Sequence, residues 1–483
     1  MATQTLLDIF ATYLRHVLAF LNTVVLYLAQ CFKMMPVDSA VPTGPSCSDG
    51  TRFSRRMSFI SRKLYESAFP LDAHVPTPIT HLLFRFADGC PSRAALCKSV
   101  RDGILQRDAF WRFRSTLLPG ATDFTPLDID EIDLSQCVLR HDVDLPDDAA
   151  VHAFIETICL DSFPVGRPLW SMHILPPNSV LVRIHHALAD GIGQVHVLSS
   201  IVEGATNLTA KSAAVHRPSV PPTAYALNTL RSLFKLLVLP LRRDSHTALT
   251  SHPVCTPPYA VLCAPPIRLA ALKSIKNAAG CTINDVVMTA LAGACRRYVS
   301  RNDPSAPLMN LSMRAMVPFA FSRSSSDPVH NLWCFLSVPL QVSASDSTSR
   351  LKGTVDEMTR LKTSPEPYLQ LGLQKLIAKV VPESLQRQVV RDLFLSHSIV
   401  ISNVPGPQVP VVIAGSTVTG VQTFMTNILP QMLVSSYNGV VNVSLTVQRQ
   451  AMPQPQSLLD DFVDECRDLA RSYNVDPACV TVI

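Results

Sequence analysis

Charge is scarce in this chain. Asp, Glu, Lys and Arg make up 16% of its 483 residues, the net charge is +5, and like charges do not form runs. That excludes a dedicated phosphate-tracking surface, so no nucleic-acid partner is expected. No C-x-x-C pair occurs among the 13 cysteines, which argues against a zinc ribbon or an iron–sulfur cluster. An odd number of dispersed cysteines fits reduced, mostly buried thiols and a body that faces the cytosol. Glycine is sparse at 17, whereas proline reaches 38 and gathers in three short stretches that mark boundaries. Apolar residues make up 47% of the chain, and the mean hydropathy is +0.22. This is too apolar for disorder, and the length allows a large core without disulfides.

Near the N-terminus, no Asp, Glu, Lys or Arg occurs between Arg15 and Lys33. That stretch is slightly short for a spanning helix of about 20 residues, but Arg15 and Lys33 can snorkel to the interfaces. Residues 1–35 are therefore expected to associate with a membrane, as an anchor or an interfacial helix, with a packed core helix as the bland alternative. Lys33, Arg52, Arg55, Arg56, Arg62 and Lys63 follow the segment, whereas Arg15 stands alone before it. The positive-inside rule then places the body in the cytosol, with the endoplasmic reticulum as the expected membrane. Residues 36–52 read as a turn-rich linker. Proline-rich zones at 216–222 and 253–266 divide the body into halves, 53–205 and 255–483, joined by a 206–254 linker. Within that linker Leu227, Leu230, Leu233, Phe234 and Leu237 form an apolar stripe at helical spacing, opposite Asn228, Arg231, Ser232 and Lys235. Two readings stay open: an inter-domain strut, or a basic amphipathic helix on a membrane surface.

Elsewhere strand and helix signals alternate, giving an α/β (α+β) body. SMHIL, a PPNS turn and VLVRIHH read as a hairpin with a four-residue loop. Ile267 to Ala279 reads as a helix stopped by Gly280. Thr282 caps a second helix, with Asp285 as its partner three residues on. Further helices are expected around 351–361 and 457–473, and strands around 398–402, 411–424 and 440–448.

The most informative stretch is His185-His186-Ala187-Leu188-Ala189-Asp190-Gly191, at the end of the second hairpin strand. Val180, Val182, Ile184 and His186 share the more apolar face, while Leu181, Arg183 and His185 share the other. His186 should thus point inward, where an imidazole can take a proton from a hydroxyl. Gly191 lets the chain turn into the next helix. Strand neighbours point apart, so His185 and His186 would not easily share a metal ion, and no metal site is assigned. Pro168-Leu169-Trp170 stands just before the hairpin; alone, an aromatic after proline is usually packing.

Together these stretches resemble the wax ester synthase/diacylglycerol acyltransferase family, part of the CoA-dependent acyltransferases with a His-His-x-x-x-Asp-Gly signature. Asn284-Asp285, Ser402-Asn403-Val404-Pro405-Gly406-Pro407 and Ser436-Tyr437-Asn438-Gly439 look like that family's later elements, in the right order. The resemblance covers about 53–473. It implies two chloramphenicol-acetyltransferase-like subdomains with mixed sheets and a channel at their interface. Acyl-CoA would enter as a substrate, with no further cofactor, and a long-chain alcohol or diacylglycerol would be the acceptor. His186 is implied to be the general base, and Asp190 an architectural group paired with an arginine. Asn284 is the candidate for steadying the oxyanion. Asp285 is read as a helix cap, and Asn403 and Gly406 as turn residues. Near Pro318 the match is loose and no role is assigned. A condensation-type enzyme and a non-catalytic lipid-binding protein on the same fold remain as alternatives.

Overall fold

A computed structural model describes residues 55–57, 61–62, 64, 76–118, 121, 123–204, 221–239, 242–250, 258–321 and 328–482. The expected N-terminal membrane segment and the 36–52 linker lie outside the described residues. The first half supplies β1 (Arg55–Arg56), β2 (Ile79–Phe86), α1 (Arg93–Val100), β3 (Ser115–Thr116), β4 (Asp123–Pro126), β5 (Val138–Arg140), α2 (Asp148–Ile158), β6 (Trp170–Leu175), β7 (Ser179–His185) and α3 (Gly191–Ser199). Helix α4 (Pro222–Val238) follows. The second half begins with β8 (Tyr259–Cys263), β9 (Ile267–Arg268), α5 (Leu269–Ala279), α6 (Ile283–Asn302), β10 (Met313–Ala320) and β11 (Trp333–Leu340). It continues with α7 (Ser347–Lys362), α8 (Glu366–Val380), α9 (Glu383–Leu395), β12 (Ile399–Pro405), β13 (Val412–Ile413), β14 (Ser416–Met425), β15 (Gln431–Tyr437), β16 (Val440–Gln448) and α10 (Gln456–Ser472).

Two mixed sheets carry the fold. One has the order β13-β14-β2-β7-β6-β5, the other β11-β10-β12-β15-β16-β8, with β9 also on β16. Strand β14 comes from the second half, yet it pairs antiparallel with β2, from Phe86↔Val418 to Thr80↔Met425. The first sheet is therefore completed by late sequence. In β7, Val180, Val182 and Ile184 pack into one apolar cluster and Leu181 into another, as the period of two requires.

Several local expectations are adjusted. The hairpin loop is three residues long, because Leu175 pairs with Ser179. Ile267 and Arg268 are extended and bond to β16 before α5 starts. Strand β15 was not expected; it ends in Asn438-Gly439, both with positive φ (+46° and +79°), the two-residue turn that suits a right-twisted hairpin. The α6 cap forms as read, with Thr282 and Asp285 bonding each other's backbone amides. α6 crosses α10 so closely at Gly293 that a Cβ there would stand 2.1 Å from the Glu465 carboxyl carbon. Arg297 and Arg350 hold that buried carboxylate at 2.7 Å each. The ten cysteines among the described residues are free thiols.

Candidate active site

The strand hands over to the His loop at His185. From there the backbone is held group by group. His186 N–H donates to Pro78 O at 2.8 Å, and Leu188 N–H to His185 O at 3.1 Å. The Asn331 amide donates to the carbonyls of His186 (2.8 Å) and Ala187 (3.1 Å). Gln194 takes Ala189 O with its side chain at 3.0 Å and Asp190 O with its backbone amide at 2.8 Å. Ala187, Leu188 and Ala189 are fully buried. A loop paired at so many backbone groups holds its side chains in one place.

Asp190 caps α3 by accepting from Gly193 N–H at 2.9 Å, and its other oxygen accepts from Leu332 N–H at 3.0 Å. With Asn331 it bolts the loop of the first half to the β11 approach of the second. Gly193 leaves no room for a Cβ, which would fall 2.9 Å from Val329. Gly191 opens α3 beside Val404.

His185 turns away from the cavity. Its Nδ1 accepts from Ala187 N–H at 3.0 Å, and burial, aided by His186, pushes its pKa down to about 3. His186 is half-buried and lines the cavity, edge-on to Trp333 at 6.0 Å between ring centres. Its Nδ1 is enclosed without a hydrogen-bond partner. Enclosure lowers its pKa and the Asp190 carboxylate opposes that shift, so the ring is neutral at pH 7.

The cavity measures about 1450 Å³ and lies between the two sheets, larger than the roughly 300–1,000 Å³ of ordinary small-molecule sites. Phe319, Phe321, Trp333, Phe335, Leu373 and Ile377 supply much of its apolar wall. Asn284, exposed at the start of α6, lines it too, as do Asn403 and Gly406. Asn403 Nδ2 donates to Asn284 Oδ1 at 2.6 Å, which leaves the Asn284 NH₂ as the end outside that bond. Asn403 belongs to strand β12 and not to a turn, because β15 pairs alongside it. Gly406 follows the strand and still donates to Ser436 O at 2.9 Å. A Cβ there would approach that oxygen to 2.6 Å, so close backbone approach explains the glycine. Asp285 is buried; besides its capping role it faces Lys362 Nζ at 3.7 Å.

Pro168, Leu169 and Trp170 are buried away from the cavity. Leu169 O accepts from His185 N–H at 2.9 Å, and Trp170 Nε1 donates to Phe113 O at 2.7 Å. They steady the strand under the His loop. Asn331 and the Phe319–Phe321 wall were not found from sequence. Asn331 carries no local pattern, since its partners lie about 145 positions away. Among the described residues no group of three or more His, Cys, Asp or Glu could hold a metal ion.

Residues 94–247 match the wax ester synthase/diacylglycerol acyltransferase catalytic domain, and residues 330–470 the C-terminal domain of the same family. Wax ester synthase/diacylglycerol acyltransferase 11 of Arabidopsis thaliana is 24% identical over 396 residues, 70% of this chain and 80% of that protein. Number 2 of the same plant is 23% identical over 369 residues, 66% of this chain and 76% of that protein. The structure of a wax ester synthase/diacylglycerol acyltransferase from Marinobacter aquaeolei VT8 superposes with a TM-score of 0.58 at 18% identity. It covers 87% of this chain and all of that one.

Proposed function

Because the chain belongs to the wax ester synthase/diacylglycerol acyltransferase family and is an acyltransferase, we propose that it moves a fatty acyl group from acyl-CoA to a long-chain alcohol or diacylglycerol, with His186 as general base. The observation that carries this is the His186 imidazole, held by a hydrogen-bonded loop on the wall of a large, mostly apolar cavity between the halves. The imidazole takes the acceptor's hydroxyl proton as that oxygen attacks the thioester carbonyl. The C–O bond forms, the C–S bond breaks, and the imidazolium returns the proton to the departing CoA thiolate. No acyl-enzyme is required. The NH₂ of Asn284, oriented by Asn403, serves the developing oxyanion.

The acceptor is reached from a lipid surface. Helix α4 is amphipathic but inside out: Leu227, Leu230 and Phe234 are 48%, 65% and 66% exposed. Three residues of its polar side face in, with Arg231 left exposed: Asn228 donates to Thr363 at 3.1 Å, Ser232 is buried, and Lys235 pairs with Glu366 at 2.6 Å. Leu236 and Leu239, farther along, line the cavity. An apolar face of that size, backed by the substrate cavity, fits a membrane-surface helix. No single helix among the described residues is long and apolar enough to cross a membrane. Attachment to the cytosolic face of the endoplasmic reticulum then combines α4 with residues 1–35.

The test is ester formation by the purified full chain from palmitoyl-CoA and either acceptor. His186→Ala should lower turnover about 10²–10⁴-fold with the fold intact. Turnover close to that of the unaltered enzyme would remove His186 from the mechanism. kcat/KM should rise with pH to a plateau, its acid limb below the ordinary histidine range near 6.5. Asp190→Asn, which removes the charge that holds the His186 pKa up, should move that limb further down.

A further inference from the structure

Three successive carbonyls of the His loop are taken by donors from outside it. Asn331 Nδ2 holds His186 O and Ala187 O at 2.8 and 3.1 Å, and Arg112 Nη1 reaches Leu188 O at 3.4 Å. Both donors also meet on one further oxygen. Ser61 Oγ accepts from Asn331 Nδ2 at 3.0 Å and from Arg112 Nη1 at 3.3 Å. Ser61 is fully buried and Arg112 nearly so, with the guanidinium over the Trp111 and Phe124 rings. An apolar residue in place of Ser61 would take an acceptor from both donors where solvent cannot replace it.

The Asn331 amide has two N–H hydrogens and these three acceptors, so its plane has to be set. Ser61 Oγ sets it from the nitrogen end. At the other end Asn331 Oδ1 accepts from Trp333 Nε1 at 3.3 Å, and that indole stands edge-on to His186. A turn of the amide would therefore loosen the backbone beneath the imidazole and shift the ring beside it. Ser61 comes from the strip of chain that follows the 36–52 linker. In that strip Arg55 and Arg56 pair with β4, Met57 enters the apolar cluster of the first half, and Leu64 reaches the cavity wall.

We propose that Ser61 is a positioning residue for acyl transfer: its oxygen fixes the Asn331 amide and the Arg112 guanidinium, and through them the carbonyls that set the His186 imidazole. This rests on the acyltransferase reading above. Ser61 does not line the cavity, so it acts on the reaction only through its two donors. An imidazole displaced from the acceptor's hydroxyl loses rate while the substrates still bind. Ser61 therefore bears on kcat and not on KM, and the strip behind the linker belongs to the catalytic machinery.

The test uses the full chain with palmitoyl-CoA and hexadecanol, well below the unfolding temperature. Ser61→Ala should lower kcat about tenfold, with the KM of each substrate within about twofold of the unaltered enzyme's. Ser61→Cys, close in size but a weak acceptor, should behave alike, and it carries the comparison should Ser61→Ala fail to fold. In Asn331→Ala protein the further change Ser61→Ala should cost less than about twofold, because the group it acts through is gone. Amide exchange at Ala187 and Leu188 should quicken about tenfold in Ser61→Ala while Leu181 and Val182 of β7 hold, a readout that needs no turnover. A kcat that holds while Tm falls would make Ser61 a packing residue and overturn the proposal. Losses that multiply in the double variant, or unchanged exchange in the loop, would overturn it too. Unaltered protein that forms no ester would instead strike the acyltransferase reading, and the exchange rates would still show whether Ser61 holds the loop.

Discussion

Helices α4 and α10 are both 17 residues long and both amphipathic, yet they face opposite ways. α10 turns Leu458, Leu459, Phe462, Val463, Cys466 and Leu469 inward against α6 and holds its arginines outside. α4 turns Leu227, Leu230 and Phe234 outward and buries Ser232 and the Lys235 ammonium. The difference lies in what waits underneath. Below α10 is the largest apolar cluster of the protein. Below α4 are Glu366 and Glu357, which Lys235 approaches at 2.6 and 3.9 Å. Periodicity defines a stripe, and the chemistry of the neighbouring surface decides which side of the helix is the inside.

The comparison can be broken most forcefully at α10. Phe462→Ala should cost about 3–5 kcal/mol, as for other buried aromatics, and lower Tm in detergent and on vesicles alike. On α4 the residue to remove is Lys235. Lys235→Met leaves a buried carboxylate with a weaker set of partners, for which the scale is about 3–5 kcal/mol. The loss should fall below that range, because Arg360 still reaches Glu366 at 3.2 Å. A loss near zero on urea unfolding would mean that the helix is not held by its polar face.

The two sheets separate by acid. Burial pushes His81, His173 and His185 of the first half down to about 3, and His397 of the second likewise. Above pH 6.5 these rings are neutral folded or unfolded and stability is indifferent to them. Below it the unfolded chain binds more protons, so stability falls with pH toward 3. With three of the four rings, the first sheet should lose hydrogen-exchange protection before the second as pH drops from 6.5 to 4.5. Protection lost evenly would contradict the placement of these rings.

The smallest change in stability is expected on the outer face of α4. Leu230→Ser with Phe234→Ser should move the unfolding free energy by less than about 0.5 kcal/mol, while binding to phospholipid vesicles by protein lacking residues 1–50 is lost. Vesicle binding that survives would make α4 a strut. Topology has its own reporter. Asn310 is exposed within an Asn-Leu-Ser sequon, whereas Asn442, in a second sequon, spends its side chain on Val421 O at 2.9 Å. In a eukaryotic host Asn310 should stay unglycosylated if the body is cytosolic; a glycosidase-sensitive shift would reverse the topology.

What could be read in advance was local or periodic. The Thr282–Asp285 cap, the Gly280 stop and the alternation that sends His186 and His185 to different sides depend on residues within a few positions of one another. The resemblance then brought distant stretches to one site, and Asn284 and Asn403 do meet. Asn331, the sidedness of α4 and the wall made by Phe319, Phe321, Trp333 and Phe335 depend on partners far away in sequence, for which no short pattern exists. Asn403 was misjudged because Asn-x-Pro-Gly is turn chemistry in most settings, and only the strand beside it, itself unexpected, holds it extended.

The exchange of β14 sets the order in which this protein can be finished. Val418 lies roughly 330 residues beyond Phe86, its partner across the ladder, a separation at which closure is slow. Until β14 emerges from the ribosome, β2, with its Leu82-Leu83-Phe84 run, is an open sheet edge on a nascent chain. The first half therefore waits, unsealed, while the two hundred or so residues from 206 to 415 are made, and a fragment ending before residue 416 should need a chaperone to stay in solution. The same delay keeps the cavity between the sheets from closing until the chain is nearly complete, since Val421, Thr423 and Met425 of that strand form part of its wall.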